Sequence, residues 1–218
     1  MADHTYKMSE VPKDKRKQQF KDYYLWPTII GIGIIIIVVS ILKNTVFSPD
    51  PDVQMLCVTS QYVQQEQWNK IGDKLEAAGV DYDQDKESIV QMESIFYNEA
   101  MQEEDPQMFI ATQTKLIGDL SSPNYTIMIC DDTMFHFLLQ QNVVGTYHDL
   151  AGTGLEGQED EYVKIPLKQM AMFTEEAAEM PDLYVTIRSK EASRLTSDKK
   201  IEQYNHQLDA LVKMVRGE

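Results

Sequence analysis

The longest apolar run lies near the amino end. Residues 25–42, LWPTIIGIGIIIIVVSIL, carry no charge, and Ile29 to Val39 is entirely Ile, Val and Gly. A helix rises ~1.5 Å per residue, so this run covers about 27 Å, close to the ~30 Å hydrocarbon core of a bilayer. Thr45, Val46 and Phe47 extend the run by a turn while Lys43 reaches toward the headgroups. The pattern predicts one transmembrane helix over residues 25–47. Tyr23, Tyr24 and Trp26 stand where an interfacial aromatic belt belongs, and Pro27 falls in the first turn, where its missing N–H costs nothing. Ser48-Pro49-Asp50-Pro51-Asp52 then reads as a short stiff linker over 48–52.

Beyond the linker the pattern alternates between short apolar runs and helical spacing. VQMLCVT (53–59), SIVQMESIFY (88–97) and YTIMIC (125–130) are strand candidates, followed by YVKIPL (162–167) and LYVTIR (183–188). Between them, Trp68, Ile71, Leu75 and Ala78 recur at helical spacing with Gly79 as a stop. Pro106 opens a helix carrying Phe109, Ile110, Leu116, Ile117 and Leu120, broken at Ser121-Ser122-Pro123-Asn124. Asp131-Asp132-Thr133 caps a helix through Gln141. Thr196-Ser197 starts a last helix with Ile201, Tyr204, Leu208, Leu211, Val212 and Val215 on one face. Strands alternating with helices predict right-handed βαβ units and a mainly parallel sheet, so residues 53–218 read as one α/β domain.

Charge then assigns the sides of the membrane. Six basic residues precede the apolar run and only Lys43 closely follows it, which places residues 1–24 in the cytoplasm as a basic tail. Residues 48–218 hold 13 Lys and Arg against 31 Asp and Glu, an acidic domain outside the cytoplasm. That balance excludes nucleic acid, whose phosphates need cationic neutralisation. A cleaved signal would have a shorter apolar stretch and a small-x-small site, and KNTVFSPD offers none. The residues before Cys57 lack the small side chains of a lipoprotein anchor. Cys57 and Cys130 both sit in apolar strand runs and read as buried thiols rather than a bridge.

Candidate chemistry is sparse. In DYDQDKES, Asp81, Asp83 and Asp85 stand at every second position, as carboxylates do at positions 1, 3 and 5 of a calcium loop. Lys86 replaces the turn glycine and Met92 the bidentate Glu, so a solvated acidic turn is the favoured reading and calcium the alternative. Asp131 and Asp132 follow the third strand at the edge where open α/β sheets bind ligands; helix capping explains the same two residues. His136 and His148 have no zinc-site spacing. No nucleophile elbow, zincin, Walker or dinucleotide-binding glycine pattern occurs. Gly152-Thr153-Gly154 and Gly157 belong to a loop.

The succession VQMLCVT, helix, SIVQMESIF, ATQTKLIGDLSS, NYTIMICDD and YHDL resembles the first lobe of type II extracellular solute-binding proteins. YVKIPL and DLYVTIRSK, followed by a helix, resemble that family's crossover strand and closing return strand. The basic tail and aromatic helix start resemble membrane-anchored relatives in Gram-positive bacteria. The resemblance implies one lobe of a type II periplasmic-binding-protein fold. Only about 15 residues separate YVKIPL from LYVTIR, so the second lobe is missing and a ligand would meet one wall of its cleft. This argues against capture of a free solute by the chain alone. The expectation is a single-pass, non-catalytic binding protein of the cell membrane whose partner is another envelope protein. The alternatives are an accessory subunit of a membrane transporter and an anchored hydrolase using Asp131, Asp132 and His148.

Overall fold

A computed structural model describes residues 25–46 and 50–218. They belong to two compact units, Met1–Asp50 and Pro51–Glu218. The expected basic tail over 1–24 lies outside the described residues, as do positions 47–49 at the junction of helix and linker.

In the first unit the apolar run forms helix α1, Leu25–Val46. Apolar side chains are exposed on every side of it: Ile29, Ile30, Ile32, Ile35 and Ile36 are all more than half exposed. Among the described residues, however, no helix is long and apolar enough to cross a membrane. The membrane-crossing segment expected over 25–47 is thus found as a helix and not as a span.

The second unit is built on five strands: β1 (Val53–Thr59), β2 (Val90–Phe96), β3 (Ile127–Cys130), β4 (Ile165–Pro166) and β5 (Tyr184–Ile187). Their order across the sheet is β2-β1-β3-β5-β4. β1 pairs in parallel with β2 and β3, whereas β5 runs antiparallel to both β3 and β4. The sheet is therefore mixed, a correction to the mainly parallel sheet expected from the alternation. The first three strands are linked by long helices, α2 (Gln65–Ala77) and α4 (Pro106–Ser121), preceded in the second link by a single turn α3 (Met101–Glu104). Between β4 and β5 there are only 3₁₀ turns and the five-residue α6 (Thr174–Ala178). No crossover helix spans the sheet there, and a parallel return needs one.

β4 is shorter than the expected 162–167 because Pro166 has no N–H to donate and Leu167 already begins a 3₁₀ turn. Tyr162 makes only an isolated bridge, to Thr146.

Alternation along the strands divides the core in two. Val53, Met55, Cys57, Ile127, Ile129, Val185 and Ile187 face Trp68, Ile71 and Leu75 of α2. The same cluster takes Tyr204, Leu208, Leu211 and Met214 of α7 (Asp198–Arg216). Leu56, Val58, Ile95, Met128 and Cys130 instead join Leu116 and Leu120 of α4 with Met134, Phe135 and Leu138 of α5 (Asp132–Gln140). Near-continuous apolar strands such as IMIC, buried at every position, are what a sheet covered on both faces requires.

The buried stripe of α7 is rotated from the expected one: Ile201 is 42% exposed, while Gln207 and Met214 are buried. Gln207 earns its place by tying the helix to the start of β1. Its Nε2 donates to the Asp52 carbonyl at 2.9 Å and its Oε1 accepts the Gln54 N–H at 3.1 Å.

Candidate functional site

The acidic loop after α2 is the most concentrated chemistry in the domain. Gly79, at φ +70°, ends α2 in the left-handed conformation that glycine adopts without strain. Gln84 and Lys86 follow with φ of 63° and 77°, and these two reversals coil the loop tightly enough for its carboxylates to accept its own N–H groups. Asp83 Oδ1 accepts from Asp85 at 3.1 Å, Asp85 Oδ1 from Glu87 at 2.8 Å and Asp81 Oδ2 from Lys86 at 3.0 Å. Such side chain–backbone bonds are the usual Asx-turn chemistry.

A fourth carboxylate, missed by sequence reasoning, holds the loop to the sheet. Asp52 Oδ1 accepts the Tyr82 N–H at 2.8 Å, and its Oδ2 accepts the Ile89 N–H at 2.9 Å. Oxygens of Asp52, Asp81 and Asp83 lie within 4.8 Å of one another, an arrangement able to hold a metal ion. Asp85 is not in the group. The structure thus keeps Asp81 and Asp83 from the expected triplet and replaces Asp85 with Asp52. The signal for Asp52 lay in strand pairing: β1 and β2 run in register from Val53 opposite Val90, which brings residue 52 beside residue 89.

The electrostatics of the cluster are those of crowded like charges. The N–H of Asp85 pulls the Asp83 carboxyl down, but partial desolvation and the charges of Asp85, Asp52 and Asp81 together hold it above its ordinary value. Asp81 Oδ1 is buried with no hydrogen-bond partner. A buried acceptor without a donor costs free energy, and a divalent cation bound by oxygen ligands would supply the missing contact.

The second candidate lies at the carboxyl end of β3. Asp131 is 3% exposed and caps α5, its Oδ1 accepting the Met134 N–H at 2.9 Å. Its Oδ2 accepts from Ser60 and Gln61 in the turn after β1. Asp132 is exposed. Lys164 Nζ reaches it at 2.6 Å, and this bonded cation lowers the Asp132 carboxyl below its ordinary range. The same ammonium stands 4.7 Å from the centre of the Phe135 ring and 4.3 Å from that of Tyr184.

His148 is elsewhere. Cys130, the residue before Asp131, pairs with Tyr184 at the start of β5, whereas the turn bearing His148 begins at Gly145, whose N–H donates to Ile187 at the end of β5. Three residues of strand, about 10 Å, separate those ends. The structure does not bring Asp131, Asp132 and His148 together.

No family model, curated protein or solved structure matches the chain. What can be said of function therefore rests on the chain's own residues.

Proposed function

We propose that the chain is a single-pass membrane-anchored binding protein, with its acidic α/β domain outside the cytoplasm and residues 1–24 inside. The observation that carries this reading is the surface of α1, where Ile and Val project on all sides and stay exposed from Ile34 through Val39. A helix apolar all round belongs in a core or a bilayer. The resemblance to a solute-binding lobe gains support from β5, an antiparallel return strand that leads into the closing helix α7. Only turns and a short helix stand between β4 and β5, too little chain for a second lobe that would close a cleft. That suits a protein partner in the envelope, or a place as accessory subunit of a transporter, better than an enclosed solute.

The experiment is alkaline carbonate extraction of membranes from cells expressing the full chain. The anchored form stays in the pellet, and Ile34→Asp with Ile36→Lys moves it to the supernatant. Release of the unaltered chain by carbonate would overturn the reading.

A second reading, calcium held by Asp52, Asp81 and Asp83, is favoured by the unpartnered Asp81 Oδ1. Extracellular calcium modules of this kind bind with Kd of ~10⁻⁴–10⁻³ M. At 100 Kd a ligand of the folded state adds about 2.7 kcal/mol, so calcium raises the unfolding midpoint, EDTA reverses the rise and Asp81→Asn removes it. An unchanged midpoint at 10 mM calcium would reduce the cluster to a solvated turn.

A further inference from the structure

At the end of β5, a cavity of about 270 Å³ is lined by Ile117, Leu120, Val143, Asn142, Arg188 and Arg194, among others. Arg188 is only 1% exposed and is among the largest fully buried side chains. Two of its nitrogens are used by the fold. Nη1 donates to the Leu120 carbonyl in the last turn of α4 at 2.9 Å, and Nε donates to the Tyr125 carbonyl at 3.0 Å. Nη2 is buried and has no partner.

Among the described residues, neither Arg188 nor Arg194 forms a salt bridge. This is unexpected in a chain with 35 acidic and 20 basic residues. Burial, with the Arg194 charge close by, lowers the Arg188 guanidinium to about 10, which leaves it a cation at neutral pH. A buried charge without a partner is strongly unfavourable, and two like charges at one cavity add to that cost. Two backbone carbonyls, one of them at the negative end of α4, satisfy part of the guanidinium and leave Nη2 without an acceptor.

The walls show a second departure from ordinary structure. Arg194 has φ of 47°. Arginine gains nothing locally from the left-handed region, and backbone strain of this kind collects at ligand sites. The turn that imposes it is held by Ser193, whose N–H and hydroxyl both bond the Ser189 carbonyl, at 3.0 and 2.8 Å. Ser189 in turn donates its N–H to the Val143 carbonyl at 2.9 Å, tying the two walls together.

We propose that this cavity binds a small carboxylate carrying a short apolar body, its carboxylate between Arg188 and Arg194 and its body against Ile117, Leu120 and Val143. The guanidinium fork matches a carboxylate in shape as well as charge. Nη2 is covered in the fold as it stands, so a ligand reaches it after a neighbouring side chain at the exposed rim changes rotamer, a fast motion for surface groups. The apolar walls distinguish such a ligand from inorganic phosphate, which would leave them unused. The site lies at the end of the sheet opposite Asp131 and does not depend on the membrane anchor.

The test is thermal unfolding of the full chain in detergent with sodium hexanoate, with the uncharged isostere hexanamide, and with inorganic phosphate. Hexanoate gives a saturable rise in midpoint and hexanamide gives none. Arg194→Gln, at an exposed position that leaves the fold intact, weakens hexanoate binding about tenfold. Hexanoate also protects Arg194 from modification by phenylglyoxal, read by mass spectrometry of the native protein, which needs no variant. Equal responses to hexanoate and hexanamide, or unaltered binding by Arg194→Gln, would overturn the proposal. So would saturable binding of phosphate without binding of hexanoate.

Discussion

Asp131 accepts both the N–H and the hydroxyl of Ser60, at 2.5 and 2.7 Å, while its other oxygen caps α5. One buried carboxylate thus joins the ends of β1 and β3 to the start of the helix that covers them. Asp131→Ala removes the cap and strands three N–H groups, a loss of about 2–4 kcal/mol. Asp131→Asn keeps one acceptor oxygen and costs about half as much. Urea unfolding should show both as lower midpoints with an unchanged slope. A variant as stable as the parent would mean that water replaces the carboxylate.

The two cysteines behave as separate buried thiols. Cys57 lies in the core shared with α2 and α7, and Cys130 in the core shared with α4 and α5. Neighbouring strands therefore point them to opposite faces of the sheet, where no disulfide can join them without moving the backbone. Burial pushes both thiols well above their ordinary range. The native chain should leave both unreacted with a thiol reagent at pH 8, and denaturant should release both. Rapid labelling of either one in the native state would contradict this placement.

How far the sequence could be read follows from these same contacts. VQMLCVT matches β1 because an apolar run bounded by polar turns has few other folds. Pro106, Ser197 and the acidic cap before α5 fixed helix starts through local chemistry. Local chemistry did not reveal that β5 returns antiparallel, because direction is set by what crosses the sheet and not by LYVTIR itself. Nor did it reveal Asp52, which looks like linker until β1 and β2 are paired in register. In the sequence Arg188 only ends the run LYVTIR, and its burial against Leu120 and Tyr125 depends on contacts more than 60 residues away.

The acidic cluster makes a prediction about pH. Asp83 has a folded value raised by its neighbours' charges after the Asp85 N–H has lowered it. A group raised on folding favours the folded state when protonated, so its contribution is complete below the unfolded value and lost as pH rises through the folded one. Without calcium, Asp83→Asn should therefore be more stable than the parent at pH 7. The difference should close as pH falls through the raised Asp83 value to the ordinary carboxylate range. Stability of the pair followed by urea midpoint from pH 7 to pH 4 checks it. A constant difference would remove Asp83 from the explanation.

Tyr82 is the link between the acidic loop and α7. Its ring stacks on His206 with centroids 4.6 Å apart and planes 7° from parallel. Lys213, which donates to the Gly79 carbonyl at 3.0 Å, stands 5.8 Å from the centre of the same ring. Desolvation, then the charges of Asp209 and Asp52, raises the phenol to about 12. The sign follows from the proton: the folded state holds it more tightly than the unfolded chain, whose tyrosines titrate near 10. Tyr82 therefore adds stability that is complete below about pH 10 and is lost as pH rises toward 12. In an alkaline titration followed by phenolate absorbance, Tyr82→Phe should delete a late-ionising component. The same variant should flatten part of the loss of stability between those values, while keeping the stack on His206. If the late component survives in Tyr82→Phe, it belongs to another buried tyrosine. Tyr204, also raised by burial, is the one to examine next.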